Sequence, residues 1–313
     1  MIPYGTEGIT APATIPYKAD IEEMPDGTTK PLGLHETWAF IGYTDNQLTN
    51  EIIELPTEIV KSNIVYYPVF EKKSVYDNIN NDYFSASPYL GDNGEGVELT
   101  LIKAVQGKIT IPETFINENG RELPVLSINA SFAATTQSTT GKIAMGQGLT
   151  HVFFATNTKI ERFRDSTFFG HASSISNPSK LIYVEFPDSL KYIGSECFSR
   201  CAKMDYRVAK SEPTARFSGK NVIEVGEQAF QQTFTPGYHI EEMRLGHNLA
   251  TLGDNAFRYM GLTFNRVVIG SNSNKSNLSF ATINVNPVIV ANNAYIVEFH
   301  SNRYTDSDLG FME

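Results

Sequence analysis

The chain is 313 residues long with a formal net charge of −10, and 41% of it is hydrophobic and 19% charged. That balance belongs to a folded protein able to bury a large core, and length alone allows about two domains. The acidic excess, with no basic cluster denser than Lys72-Lys73, excludes a nucleic-acid footprint and attraction to an anionic membrane surface. Nor is there an apolar run of the roughly 18 residues that a spanning helix needs.

The aromatic content, 20 Phe and 15 Tyr against one Trp, favours strands and turns over helices. The two cysteines, Cys197 and Cys201, stand four apart. On a helical turn they share one face with poor disulfide geometry, so they are expected as two buried thiols. The opening MIPYGTEGITAPATIPYK lacks the basic start and continuous apolar middle of a secretory signal. If Met1 is the true start, export by the general route is not expected; a mature extracellular fragment carrying an added Met reads the same.

Residues 1–30 carry Pro3, Pro12, Pro16 and Pro25 with Gly5, Gly8 and Gly27. That density prevents regular helix and predicts an extended arm, with a floppy leader as the alternative. Residues 31–76 turn to strands, TWAFIGYTD, EIIELPTEIV and NIVYYPVFEKKSVYD, separated by Asp-Asn and Lys-Ser-Asn turns. The step Phe40-Ile41-Gly42-Tyr43, the connection Leu55-Pro56 and the closing Tyr66-Tyr67-Pro68-Val69-Phe70 resemble the internalin B-repeat, a ubiquitin-like β-grasp unit of bacterial extracellular proteins. Tyr43 stands where that family has Trp. Residues 77–96, DNINNDYFSASPYLGDNGEG, read as a polar connector; the spacing of Asp77, Asp82, Asp92 and Glu95 matches no calcium loop.

Repeats follow from 97 to 299. The plug aromatics Phe132, Phe168, Phe198, Phe230 and Phe257 recur at intervals of 36, 30, 32 and 27 residues, the period of stacked repeat units. An apolar step stands five before the plug in four units (Phe163, Ile193, Val225, Leu252), whereas Ile128 stands four before Phe132, which makes the first unit a variant cap. Strand signals accompany the units at Ile109–Ile111, Val152–Phe154, Val184–Phe186, Met243 with Leu245, and Val267–Ile269. The segment FPDSLKYIGSECFSRC closely resembles the leucine-rich repeat of the BspA-like bacterial and phage surface type. The resemblance implies a mostly β right-handed solenoid with a parallel sheet on one side and short turns on the other, and recognition of proteins or cell surfaces without a family active site.

The polar stretches 135–148 and 208–220 read as insertions between units, where a rigid scaffold places contacts. Val288–Phe299 is expected to form a hairpin turning at Asn292-Asn293 that caps the ladder, and 300–313 a surface tail.

For chemistry, the six histidines at 35, 151, 171, 239, 247 and 300 hold no metal-ligand spacing, and no nucleophile elbow, P-loop or dinucleotide fingerprint occurs. Glu241-Glu242 beside Met243 is the nearest carboxylate pair, and neighbours on a strand point to opposite faces. No catalytic, cofactor or metal site is therefore expected. The expected role is a non-catalytic surface-recognition or attachment module, most concretely a bacteriophage tail or head-surface component in the virion. Its partners would be other virion proteins, or a host cell-surface protein or glycan, with homo-oligomerisation possible and no nucleic-acid binding or membrane insertion. The alternatives are a bacterial cell-surface adhesin fragment and a purely structural assembly protein.

Overall fold

A computed structural model describes residues 16–49, 51–55, 65–117, 119–134, 145–170, 179–204, 217–219, 221–231, 233, 242–245, 249–253, 256, 266–270, 279–280 and 296–300. Two compact units divide the chain, Met1–Asn78 and Ile79–Glu313.

In the first unit, β1 (Ile21–Glu23) pairs antiparallel with β2 (Thr29–Pro31) across a turn in which Asp26 accepts from the Thr28 amide and hydroxyl. β3 (Glu36–Thr44) pairs antiparallel with β4 (Tyr67–Ser74), with a bulge between Phe40 and Gly42 that brings Tyr43 against Phe40. The Trp38 indole donates to the Ile21 carbonyl at 2.9 Å, and the Lys18 ammonium lies 3.6 Å above its ring. Of the expected arm, residues 1–15 lie outside the described residues. Of the expected strand EIIELPTEIV, the described part contributes a single bridge from Ile53 to Tyr43.

The second unit begins with a correction. Residues 77–96, expected as a connector, are mostly folded: β5 (Phe84–Gly91) and β6 (Gly94–Leu101) make an antiparallel hairpin. Alternation explains it, because Val97, Leu99 and Leu101 are buried while the intervening positions are polar, and the Asp-Asn-Gly run is the hairpin's turn.

From there the chain alternates between two sets of parallel strands. The first set holds β7 (Gln106–Ile111), β10 (Gly148–Phe154) and β12 (Tyr183–Val184), and in a separate sheet β14 (Phe217–Gly219), β16 (Glu242–Leu245), β18 (Arg266–Gly270) and β20 (Ile296–His300). The second set continues from β6 through β9 (Glu122–Ile128), β11 (Arg162–Phe163), β13 (Tyr192–Ile193), β15 (Glu224–Val225), β17 (Thr251–Leu252) and β19 (Ser279–Phe280). β8 (Thr114–Ile116) pairs with β9, and β5 edges the second set.

One further expectation is corrected here. Turns were expected opposite a single parallel sheet, yet the apolar steps themselves form the second ladder, Ile128, Phe163, Ile193, Val225, Leu252 and Phe280 standing in register. Two-residue strands are too short for a periodicity signal, which is why the sequence shows them only as steps. Ile296–His300 pairs parallel with β18; the rest of the expected Val288–Phe299 hairpin, with its turn at 292–293, lies outside the described residues.

The turns between step and plug are held by backbone bonds from one repeat to the next. Ser166, Phe168 and Gly170 amides donate to Ser195, Cys197 and Ser199 carbonyls, and Glu196, Phe198 and Arg200 amides to Glu227, Ala229 and Gln231. In the other direction Gly194, Gly226 and Gly253 amides donate to Phe163, Ile193 and Val225. This close stacking demands glycine: a Cβ on Gly226 would press into the Ser195 nitrogen and lie 2.6 Å from the Gly194 carbonyl carbon. Two residues before the plugs Phe168, Phe198 and Phe230 the backbone turns left-handed, at Ser166 (φ 57°), Glu196 (φ 52°) and Gln228 (φ 54°).

Between the ladders the plug rings form a column. Phe132, Phe168, Phe198 and Phe230 are buried, and ring centroids are 5.1 Å apart between Phe168 and Phe198 and between Phe198 and Phe230. Cys197 and Cys201 are buried free thiols on a turn, not a helix. The Cys201 thiol donates to the Phe168 carbonyl, and burial pushes it up to about 12.

His151 on β10 is buried, with Nδ1 2.9 Å from the Thr150 hydroxyl and its ring stacked on Phe153. Burial, and then the nearby Lys108 charge, push its pKa down to about 4.

Phe198→Ala empties the middle of the column and is expected to cost about 3–5 kcal/mol by urea unfolding, against about 0.5 kcal/mol or less for Ile102→Ala at a site 47% exposed. Gly226→Val is expected to cost about 1–3 kcal/mol through forced separation of two turns; an unchanged midpoint would refute the close-stacking account. The unfolded chain protonates His151 near 6.5 and the folded chain at about 4. Its contribution to stability is therefore complete above pH 6.5 and is lost as pH falls toward 4, by about 3 kcal/mol. His151→Gln should flatten that slope in unfolding curves taken between those pH values, and an identical slope in both proteins would exclude His151 as its source.

Candidate binding surface

Alternation along the second ladder sends Leu99, Ile128, Phe163, Ile193 and Val225 into the core and leaves Glu98, Ser127, Arg162, Tyr192 and Glu224 on the outer side. These outer residues interlock. Glu98 pairs with Arg164 at 3.0 Å and accepts from the Ser127 hydroxyl at 2.9 Å. The Arg162 guanidinium lies 3.9 Å above the Tyr192 ring and donates to the Tyr89 hydroxyl at 3.0 Å.

The tip of the β5–β6 hairpin lies across this row. The Asp92 amide donates to both oxygens of Glu161, at 3.0 and 3.2 Å, and the Glu161 side chain is only 2% exposed. Gly91 permits the approach, since a Cβ there would collide with the Glu161 carboxylate. The Asp92 carboxylate accepts from the Lys191 ammonium at 3.0 Å and the Tyr192 hydroxyl at 2.9 Å. Those hydrogen bonds, Lys191 first, hold the Asp92 carboxyl below its ordinary range, while burial and then Asp92 raise Tyr192.

Beside the tip opens a cleft of about 460 Å³ lined by Asn93, Glu95, Pro124, Leu126, Lys159, Asp188, Ser189, Lys191 and Asn221. Pro124 and Leu126 of β9 supply apolar lining, and Leu126 is buried outside the main core cluster. The wall is a row of equivalent positions from successive repeats: Lys159, Ser189 and Asn221 each stand four residues before the apolar step and nine before the plug. Its turns are braced, with the Ser189 hydroxyl donating to the Ile160 carbonyl at 2.7 Å and the Asn221 amide to the Asp188 carbonyl at 2.7 Å.

The residues singled out from sequence distribute as follows. Phe132, Phe168, Phe198 and Phe230 are in the ring column, Ile128, Phe163, Ile193 and Val225 are buried beneath the second ladder, and Leu252 lies in β17. Phe257 lies outside the described residues, as does Glu241; Glu242 pairs with Arg266 in β16–β18. Insertion residues 135–144, 208–216 and 220 also lie outside. None of the cleft-lining residues was anticipated from sequence as a site. The signal that reveals the wall is the column nine before the plug, legible once the repeats are aligned on Phe168, Phe198 and Phe230.

Chemically the surface offers hydrogen-bond donors, acceptors and both charges around an apolar lining. Among the described residues there is no group of three or more His, Cys, Asp or Glu able to hold a metal ion, and no helix long and apolar enough to cross a membrane.

No curated protein and no solved structure matches the chain. Residues 171–298 match the family model of the BspA type leucine rich repeat region, in 6 copies. The chain thus carries a leucine-rich repeat region, similar over residues 171–298 to the BspA type.

Proposed function

We propose that this protein is a non-catalytic recognition module whose repeats form a solenoid that holds binding surfaces for other macromolecules. The observation behind it is the repeat region itself, in which strands two to five residues long stack in register. Such a frame is stiff along its length and carries its variable residues on the outer row and in the inter-ladder turns. Protein binding is the common use of such repeats. In the same reading, the residues before the Ile21–Pro31 hairpin act as an extended arm and residues 31–76 as a β-grasp-like spacer or docking unit. The setting is a bacteriophage virion, with host-surface or neighbouring virion proteins as partners.

The test has two arms. Mass spectrometry of purified phage particles is expected to find the chain, and the purified chain is expected to bind host envelope fractions saturably without turning over cell-wall polysaccharide. A gene preceded by signal-peptide coding sequence, with no particle association, would replace the virion setting by a cell-surface adhesin. Polysaccharide turnover lost in Glu241→Gln would replace recognition by catalysis. Deletion of residues 1–30 separates assembly from adsorption: loss of particles identifies a purely structural part.

A further inference from the structure

We infer that the cleft beside the hairpin tip is a binding site for an extended peptide segment, one apolar side chain lying against Pro124 between an acidic residue and a donor group. This rests on the recognition role proposed above and names the class of partner for this surface.

Three observations carry it. First, the cleft is built by tertiary structure rather than left between side chains. Its wall takes one position from each of three successive repeats, and the Ser189 and Asn221 bonds hold those turns before any ligand arrives, which lowers the ordering cost of binding. Three rungs about 4.8 Å apart match roughly three residues of extended chain at about 3.3 Å each.

Second, several polar groups in the lining are not used by the fold. Among the described residues, the Lys159 ammonium, the Asp188 carboxylate and the Asn93 amide side chain have no hydrogen-bond or ion-pair partner, whereas Lys191 and Glu95 are engaged by Asp92 and Arg121. An open cation, an open anion and an amide around an apolar lining fit a segment with both charges and main-chain amides, and they fit a polyanion poorly.

Third, among the described residues the lining holds no flat aromatic surface of the kind a sugar ring needs. The ring of Tyr192, the residue after the cleft's Lys191, is covered by Arg162.

Panning a random peptide display library on the intact chain tests this, with a glycan array run in parallel. Enriched peptides are expected to share an apolar residue beside an acidic one. Their binding, followed by fluorescence anisotropy, should fall about tenfold in Lys159→Glu, the usual worth of one charge-assisted bond. Replacing the peptide's acidic residue by Lys should recover that loss in the variant, while the melting temperature stays unchanged. Peptides that bind wild type and Lys159→Glu equally would overturn the site and leave the recognition role standing. A glycan ligand lost in Lys159→Glu, with no enriched peptide, would overturn the peptide class. No ligand of either kind, together with no binding to host envelope fractions, would overturn both this site and the recognition role.

Discussion

The fold of the second unit depends on backbone hydrogen bonds between successive turns, because they set the distance at which everything else must pack. Amides at alternate positions of one turn donate to carbonyls of the next, and the glycine amides donate back. A ladder satisfied in both directions leaves few buried polar groups without partners, which is the condition for stacking turns over an apolar interior. It also forces the backbones so close that Gly194, Gly226 and Gly253 have no room for a Cβ, and it places a left-handed residue at Ser166, Glu196 and Gln228. The five-residue offset from step to plug shared by Phe163/Phe168, Ile193/Phe198 and Val225/Phe230 follows from this geometry.

Side-chain packing then answers to the backbone spacing. Phe168, Phe198 and Phe230 stack with centroids 5.1 Å apart because their turns repeat at nearly that distance. Where the repeat is irregular the column tilts: Phe132, in the variant first unit, meets Phe168 edge-on at 6.1 Å. The buried thiol of Cys201 fits the same logic, a small apolar filler whose one donor is used by the Phe168 carbonyl.

The outer surface answers to a second constraint, the way the ladder begins. The β5–β6 hairpin caps the first parallel strands and lays its tip over Glu161, using Gly91 for clearance and Asp92 to gather Lys191 and Tyr192. An apolar residue facing outward, Leu126, is covered in this way, and the uncovered margin of the same place becomes the cleft. Capping and cleft therefore share residues: the hairpin that ends the ladder also walls the cleft.

How much of this was legible in the sequence follows from range. Short apolar runs at Ile109–Ile111, Val152–Phe154 and Val267–Ile269 marked β7, β10 and β18, and the plug spacing marked the repeat, since both are local patterns imposed by burial. The second ladder escaped because two-residue strands carry no period of their own; only pairing across roughly 30 residues reveals them. The hairpin at 84–101 was hidden by its polar turn and by Gly91 and Gly94, which read as connector until a partner surface gives them a reason. By itself the sequence determined the repeat, the core side chains and the absence of catalytic motifs, because each depends on residue type at fixed local spacing. Tertiary structure alone decided which polar residues converge, since Asn93, Lys159, Asp188 and Asn221 meet only when separate repeats are brought into register.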